Sequence, residues 1–151
     1  TQGAFYDASN DLPAIHNFLQ NTPQGDYDSY DMFAGNSAYF FEAIRMGRKA
    51  KRFEILIDPK QNMVQREGFW IALKDVRSLR AGALSLIGMP CSQWIFLSAS
   101  FHKRSKKDPA GDTSLEPVQL TNQLVVNVTV LLCIMVDQGD PWLNVPFSFT
   151  I

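Results

Sequence analysis

The chain has 151 residues, 46% of them hydrophobic, with 14 basic and 15 acidic side chains and a net charge of −1. That length suits one compact domain around a single core, and the apolar share excludes bulk disorder. The near-neutral charge argues against a whole-surface nucleic-acid binder, and two cysteines, Cys91 and Cys133, are too few for a disulfide framework or a structural zinc site. Both cysteines have apolar neighbours, which points to a reducing, intracellular compartment. No run reaches the roughly 18 apolar residues of a membrane span. The best stretch, 125–136, is broken by Asn127 and Thr129. No signal-peptide pattern opens the chain, and a start at Thr1 rather than Met is the expected mark of trimming or of a cut.

Residues 1–29 read as a polar, turn-rich arm, with Thr22-Pro23-Gln24-Gly25 and aspartates that include Asp7, Asp26 and Asp28. Ser9 and Pro13 mark the start of a short helix carrying Ile15, Phe18 and Leu19 on one face. From Tyr30 onward, residues 30–151 alternate between strand and helix patterns. A short strand begins at Tyr30 and ends at Gly35, and Asn36 or Ser37 caps a helix to Met46 with Tyr39, Phe40, Ala43 and Ile44 inward. An apolar strand over 53–57 stops at Asp58-Pro59. A helix over 62–79 carries Phe69, Leu73 and Val76 at helical spacing. Gly82 ends that helix, and a strand over 83–87 closes at Gly88.

Residues 89–117 are apolar at first (Trp94 to Leu97) and then charged, a length that usually marks a functional loop. Residues 118–138 form a strongly apolar helix whose Val-rich middle is equally strand-like, with Cys133 in the core. Gly139-Asp140-Pro141 then turns the chain into 142–151. Strands separated by helices predict an α/β fold, a mostly parallel sheet of about four strands with flanking helices.

Two loops follow strands directly. One is Asp31-Met32-Phe33-Ala34-Gly35-Asn36-Ser37-Ala38, and the other is Gly88-Met89-Pro90-Cys91-Ser92. In an open parallel sheet, ligands bind beyond the carboxyl ends of the strands, where the winding reverses. If the first and third strands are neighbours, both loops meet over one crevice. Glycine at the first turn admits a close ligand, and Asp58, ending the next strand, is placed to accept hydrogen bonds from ribose hydroxyls.

On these residues the chain resembles the catalytic domain of C5-cytosine DNA methyltransferases, which use S-adenosylmethionine. Asp31-Met32-Phe33-Ala34-Gly35 is similar to that family's cofactor loop, and Met89-Pro90-Cys91 to the loop whose cysteine attacks C6 of the base. A group of algal methyltransferase-like proteins with a Pro-Cys-Ser-Ser-Trp signature is closer still. Pro90-Cys91-Ser92-Gln93-Trp94, Lys103-Arg104-Ser105 and Thr121-Asn122-Gln123-Leu124-Val125 resemble that group. The resemblance implies a small Rossmann-like methyltransferase domain, with Cys91 as nucleophile and Phe33, Gly35, Asp58 and Pro90 around the cofactor. The sequence departs from the family at three points. Ser37 and Ala38 replace its second and third glycines, and Trp142-Leu143-Asn144-Val145-Pro146 lacks the glutamate that holds the base. The chain also stops at Ile151, before the family's arginine motif and target-recognition domain. Without them nothing extrudes a base from a duplex.

A non-catalytic descendant is therefore expected, an accessory subunit of a larger protein assembly with no cofactor. The algal resemblance implies an organellar, photosynthetic home such as a chloroplast photosystem. Its docking candidates are the basic Lys103, Arg104, Lys106 and Lys107, and the aromatic Trp142, Phe147 and Phe149. The arm is expected to order against a neighbour. The alternative is an active S-adenosylmethionine-dependent enzyme acting on cytosine through Cys91. A third reading is a nucleic-acid module using 102–107, whose affinity falls steeply with salt.

Overall fold

A computed structural model describes residues 5–90 and 99–140, and the backbone of 142–144. A 3-10 turn, Ala8–Asp11, leads into helix α1 (Leu12–Asn21). Strand β1 (Tyr27–Met32), helix α2 (Ala38–Arg45), strand β2 (Ala50–Phe53), helix α3 (Arg66–Arg77) and strand β3 (Leu79–Ile87) follow. The described chain closes with a single-turn helix α4 (Ala99–His102), the long helix α5 (Glu116–Asp137) and strand β4 (Trp142–Asn144).

The strands form one parallel sheet in the order β2-β1-β3-β4, with a fourth strand of only three residues. Met32 lies level with Phe53 on one side and Ile87 on the other, and Ile87 lies level with Asn144. The chain thus starts in the middle, steps out to β2, recrosses to β3 and continues outward. Right-handed crossovers put α2 on one face and α3 and α5 together on the other, and α3 packs on α5 while α2 packs on β1 and β2. The α/β expectation holds in this coarser form.

Strand periodicity sorts β1 cleanly. Tyr30 and Met32 enter the core with Phe69, Leu73, Leu131 and Met135, whereas Ser29 and Asp31 lie under α2. On α3, Phe69, Leu73 and Val76 are fully buried, as their spacing predicts. Pro117 occupies the first turn of α5, where its missing N–H costs nothing.

Several expectations are corrected. The second strand is Ala50–Phe53, not 53–57, because Glu54 captures the amides that follow. Its carbonyl accepts from Ile57 and Asp58, and its carboxylate from Leu56. The apolar run therefore turns, leaving Ile55, Leu56 and Ile57 at 45%, 87% and 46% exposure. Helix α3 stops at Arg77, and Gly82 sits inside β3 at φ +73°, beside a shift in the β1–β3 register. Ile44 is exposed rather than inward, and Cys133 is an exposed residue of α5 rather than core.

The arm also differs. β1 begins at Tyr27, and the described part of the arm docks on its own domain. Ala8 and Ile15 are buried, Phe18 meets Trp70 edge-on at 5.7 Å, and Arg77 donates to the carbonyls of Leu19 and Thr22. Asn127, fully buried in α5, accepts from the Ala8 amide and donates to the carbonyls of Tyr6 and Met63. This amide ties the start of the arm to α5, beside the apolar contacts that hold the rest of it. Among the described residues, α5 is the one helix long and apolar enough to cross a membrane by length and composition. Its inner face is the roof of the sheet.

Candidate functional site

The carboxyl ends of β1 and β3 are adjacent, and the winding direction reverses between them. Both singled-out loops leave the sheet here. The Gly88 amide donates to the Met32 carbonyl at 3.0 Å, and a Cβ on Gly88 would stand 3.3 Å from the Phe33 carbonyl oxygen. β4 ends at Asn144, level with Ile87 of β3.

The β1–α2 turn is held in an uncommon conformation. Phe33, Gly35 and Ser37 all have positive φ, at 60°, 52° and 58°. For Phe33 and Ser37 this is costly and needs anchoring. The Phe33 and Ala34 amides donate to the Phe53 carbonyl, and the Phe33 ring packs edge-on against Phe53 at 6.1 Å. Ser37 is buried with no hydrogen-bond partner for its hydroxyl. A Cβ on Gly35 would meet nothing within 4 Å, so this glycine answers a backbone demand and not a shortage of space.

The acid at the end of β2 is Glu54, not Asp58. Glu54 is buried, and its carboxylate accepts from the Gly35 amide at 2.8 Å and from the Leu56 amide at 3.0 Å. Asp58 lies beyond the following turn and accepts from the Lys60 amide. Moving the strand boundary back four residues makes Glu54, not Asp58, the acid at the carboxyl end of β2. An acid directly after the alternating Lys51-Arg52-Phe53 was the available signal.

Asp31 is the second buried acid, only 4% exposed, and accepts from the Phe40 amide in the first turn of α2. Burial pushes its carboxyl up to about 6, opposed by the Phe40 amide, reinforced by the Glu54 charge and relieved by Arg52. The Arg52 guanidinium lies over the Phe40 ring at 4.8 Å and over Phe41 at 5.3 Å. Because the folded pKa exceeds the ordinary 3.8, the stabilising proton is fully bound below about pH 4 and is lost as pH rises through 6. Asp31→Asn keeps an acceptor for Phe40 and removes the buried charge. In urea melts it is expected to exceed the parent by roughly 1–3 kcal/mol at pH 7.5, with the gap closing near pH 4.

Of the other candidates, Pro90 is exposed at the end of the described β3 loop. Cys91, Phe147 and Phe149 lie outside the described residues, as do the side chains of Trp142 and Asn144. The basic cluster is divided. Arg104 donates to the carbonyls of Pro109 and Ala110 and to Asn122, stapling the 103–111 loop onto α5. Lys103 pairs with Asp112 at 3.0 Å, while Lys106 and Lys107 are exposed. No family model, no curated protein and no solved structure matches this chain.

Proposed function

We propose that this is a Rossmann-type, methyltransferase-like domain that has lost turnover and serves as an accessory subunit of a larger protein assembly. The observation that carries the reading is the 2.8 Å bond from the Gly35 amide to the Glu54 carboxylate. In a nucleoside site of this topology, the turn amides face the ligand and the acid after β2 takes the ribose hydroxyls. Here donor and acceptor satisfy each other, and the Leu56 amide engages the second carboxylate oxygen. A ligand must break these part-buried bonds before it makes its own. The buried Ser37, standing where the resembled family has glycine, adds bulk to the same turn. Asn144 at the carboxyl end of β4, in place of a glutamate, leaves no acid there to hold a pyrimidine.

The domain then contributes surface in place of chemistry. Leu56, Phe41, Ile44 and Met46 are apolar and well exposed, which fits protein partners better than nucleic acid. The algal resemblance favours an organellar, photosynthetic assembly as the setting. Calorimetric titration with S-adenosylhomocysteine tests the reading: the folded chain is expected to release no saturable heat. Micromolar binding that Gly35→Val abolishes would overturn it.

The adjacency of the β1 and β3 loops favours one alternative, methyl transfer from S-adenosylmethionine to cytosine with Cys91 as nucleophile. That alternative predicts methyl transfer to a pyrimidine that disappears in Cys91→Ser.

A further inference from the structure

We propose that the cleft between the end of α2 and the start of β1 and β3 binds a small monocarboxylate with a compact apolar body. The cleft holds about 290 Å³, near the lower end of the roughly 300–1,000 Å³ usual for small-molecule sites. It lies toward the amino end of β1, away from the Gly35 turn, so it stands apart from the crevice described above. Beside it β3 bulges between the Tyr27–Leu79 and Ser29–Leu84 pairs, with Gly82 at φ +73°. A bulge re-aims side chains. Here Arg80 reaches the mouth of the cleft, where its Nε donates to Asp28 at 2.8 Å.

The walls are apolar and the mouth is cationic. Tyr39 and Ala43 of α2, Met46 at its end and Leu84 of β3 form the walls. At the mouth, Arg80 and Arg48 approach one oxygen of Asp28, at 2.8 and 4.0 Å. The other Asp28 oxygen accepts from the Lys49 amide. Glu42, the second acid on the cleft, is already engaged by Arg45. Two guanidiniums thus face one carboxylate, an excess of a single positive charge. That excess matches a carboxylate, whereas a phosphate monoester brings close to two negative charges.

The donors are available. Arg80 spends Nε on Asp28 and Nη1 on the Ala81 carbonyl, which leaves Nη2. Among the described residues the Arg48 guanidinium makes no hydrogen bond, and its Asp28 contact is an ion pair at the limit of reach. Planar guanidinium donors fit a carboxylate's two oxygens. Ser29 lines the same cleft, is 4% exposed, and its hydroxyl has no hydrogen-bond partner. Asp28 and Ser29 are successive residues of β1, so one head group can engage both the guanidiniums and this idle hydroxyl. A buried hydroxyl without a partner is completed by a bound oxygen.

Octanoate is the probe. Calorimetric titration is expected to give saturable binding, with ¹⁵N amide shifts centred on Ser29, Ala43 and Leu84. Arg48→Gln is expected to weaken it about tenfold or more, and Ser29→Ala several-fold. Both variants are expected to melt with the parent, because Arg48 is exposed and the Ser29 hydroxyl has no partner to lose. Absence of saturable binding overturns the inference, as does octanoate affinity indifferent to both substitutions. Octanol binding as tightly as octanoate would overturn it in favour of a purely apolar cleft. Tighter binding of octyl phosphate would overturn it in favour of a phosphate monoester.

Discussion

Asn127→Leu is expected to lower stability by about 3–5 kcal/mol, although the two side chains are similar in size. The fully buried amide satisfies three backbone groups, the Ala8 N–H and the carbonyls of Tyr6 and Met63. Leucine leaves all three without a partner in a dry site, and each orphan costs about 1–3 kcal/mol. The loss has a direction as well as a size. Residues 6–8 lose their tie to α5, so the arm is expected to detach first. Limited proteolysis then cuts near Phe5 and Phe18 before the rest of the chain, and urea melts report the free-energy loss. A variant within 1 kcal/mol of the parent would mean that the arm is held by apolar contacts alone.

Gly68→Ala is expected to be comparably severe, for a steric reason. A Cβ on Gly68 would lie 2.6 Å from the Asn62 amide nitrogen and closer still to its carbonyl oxygen. These are backbone atoms and cannot rotate aside. Asn62 is itself tied down, since its carbonyl accepts from Gln65 and its side chain from Val64. Alanine must therefore push out 62–64, exposing the buried Met63 and Val64 and drawing the Met63 carbonyl off Asn127. A loss of about 3 kcal/mol or more follows. Gly35→Ala is the control. It meets no atom within 4 Å and carries only the penalty of φ +52°, about 1 kcal/mol. Chemical denaturation of the two variants side by side checks the contrast, and equal losses would contradict it.

Helix α3 was legible because Phe69, Leu73 and Val76 repeat at helical spacing and face one core. The parallel sheet followed from the alternation of strand and helix patterns, and with it the meeting of the two loops. The second strand was misread because Phe53 to Ile57 looks like a strand by propensity, while the Glu54 carbonyl and carboxylate turn the backbone. That one boundary hid Glu54 and promoted Asp58. The docking of the arm was not legible, because it depends on Asn127, a polar residue 119 positions from its Ala8 partner. Cys133 misled for the opposite reason. When a helix is apolar on every face, periodicity does not say which face is inward.

The Gly35 turn and the Glu54 carboxylate satisfy each other at the carboxyl ends of β1 and β2. The most direct measurement is the Gly35 amide resonance in a ¹⁵N-labelled chain, followed as S-adenosylhomocysteine is added. The amide is expected to be protected from exchange in the free chain, released in Glu54→Ala, and unmoved by the ligand. A saturable shift of that resonance in the parent would contradict it, and would show the turn open to a cofactor.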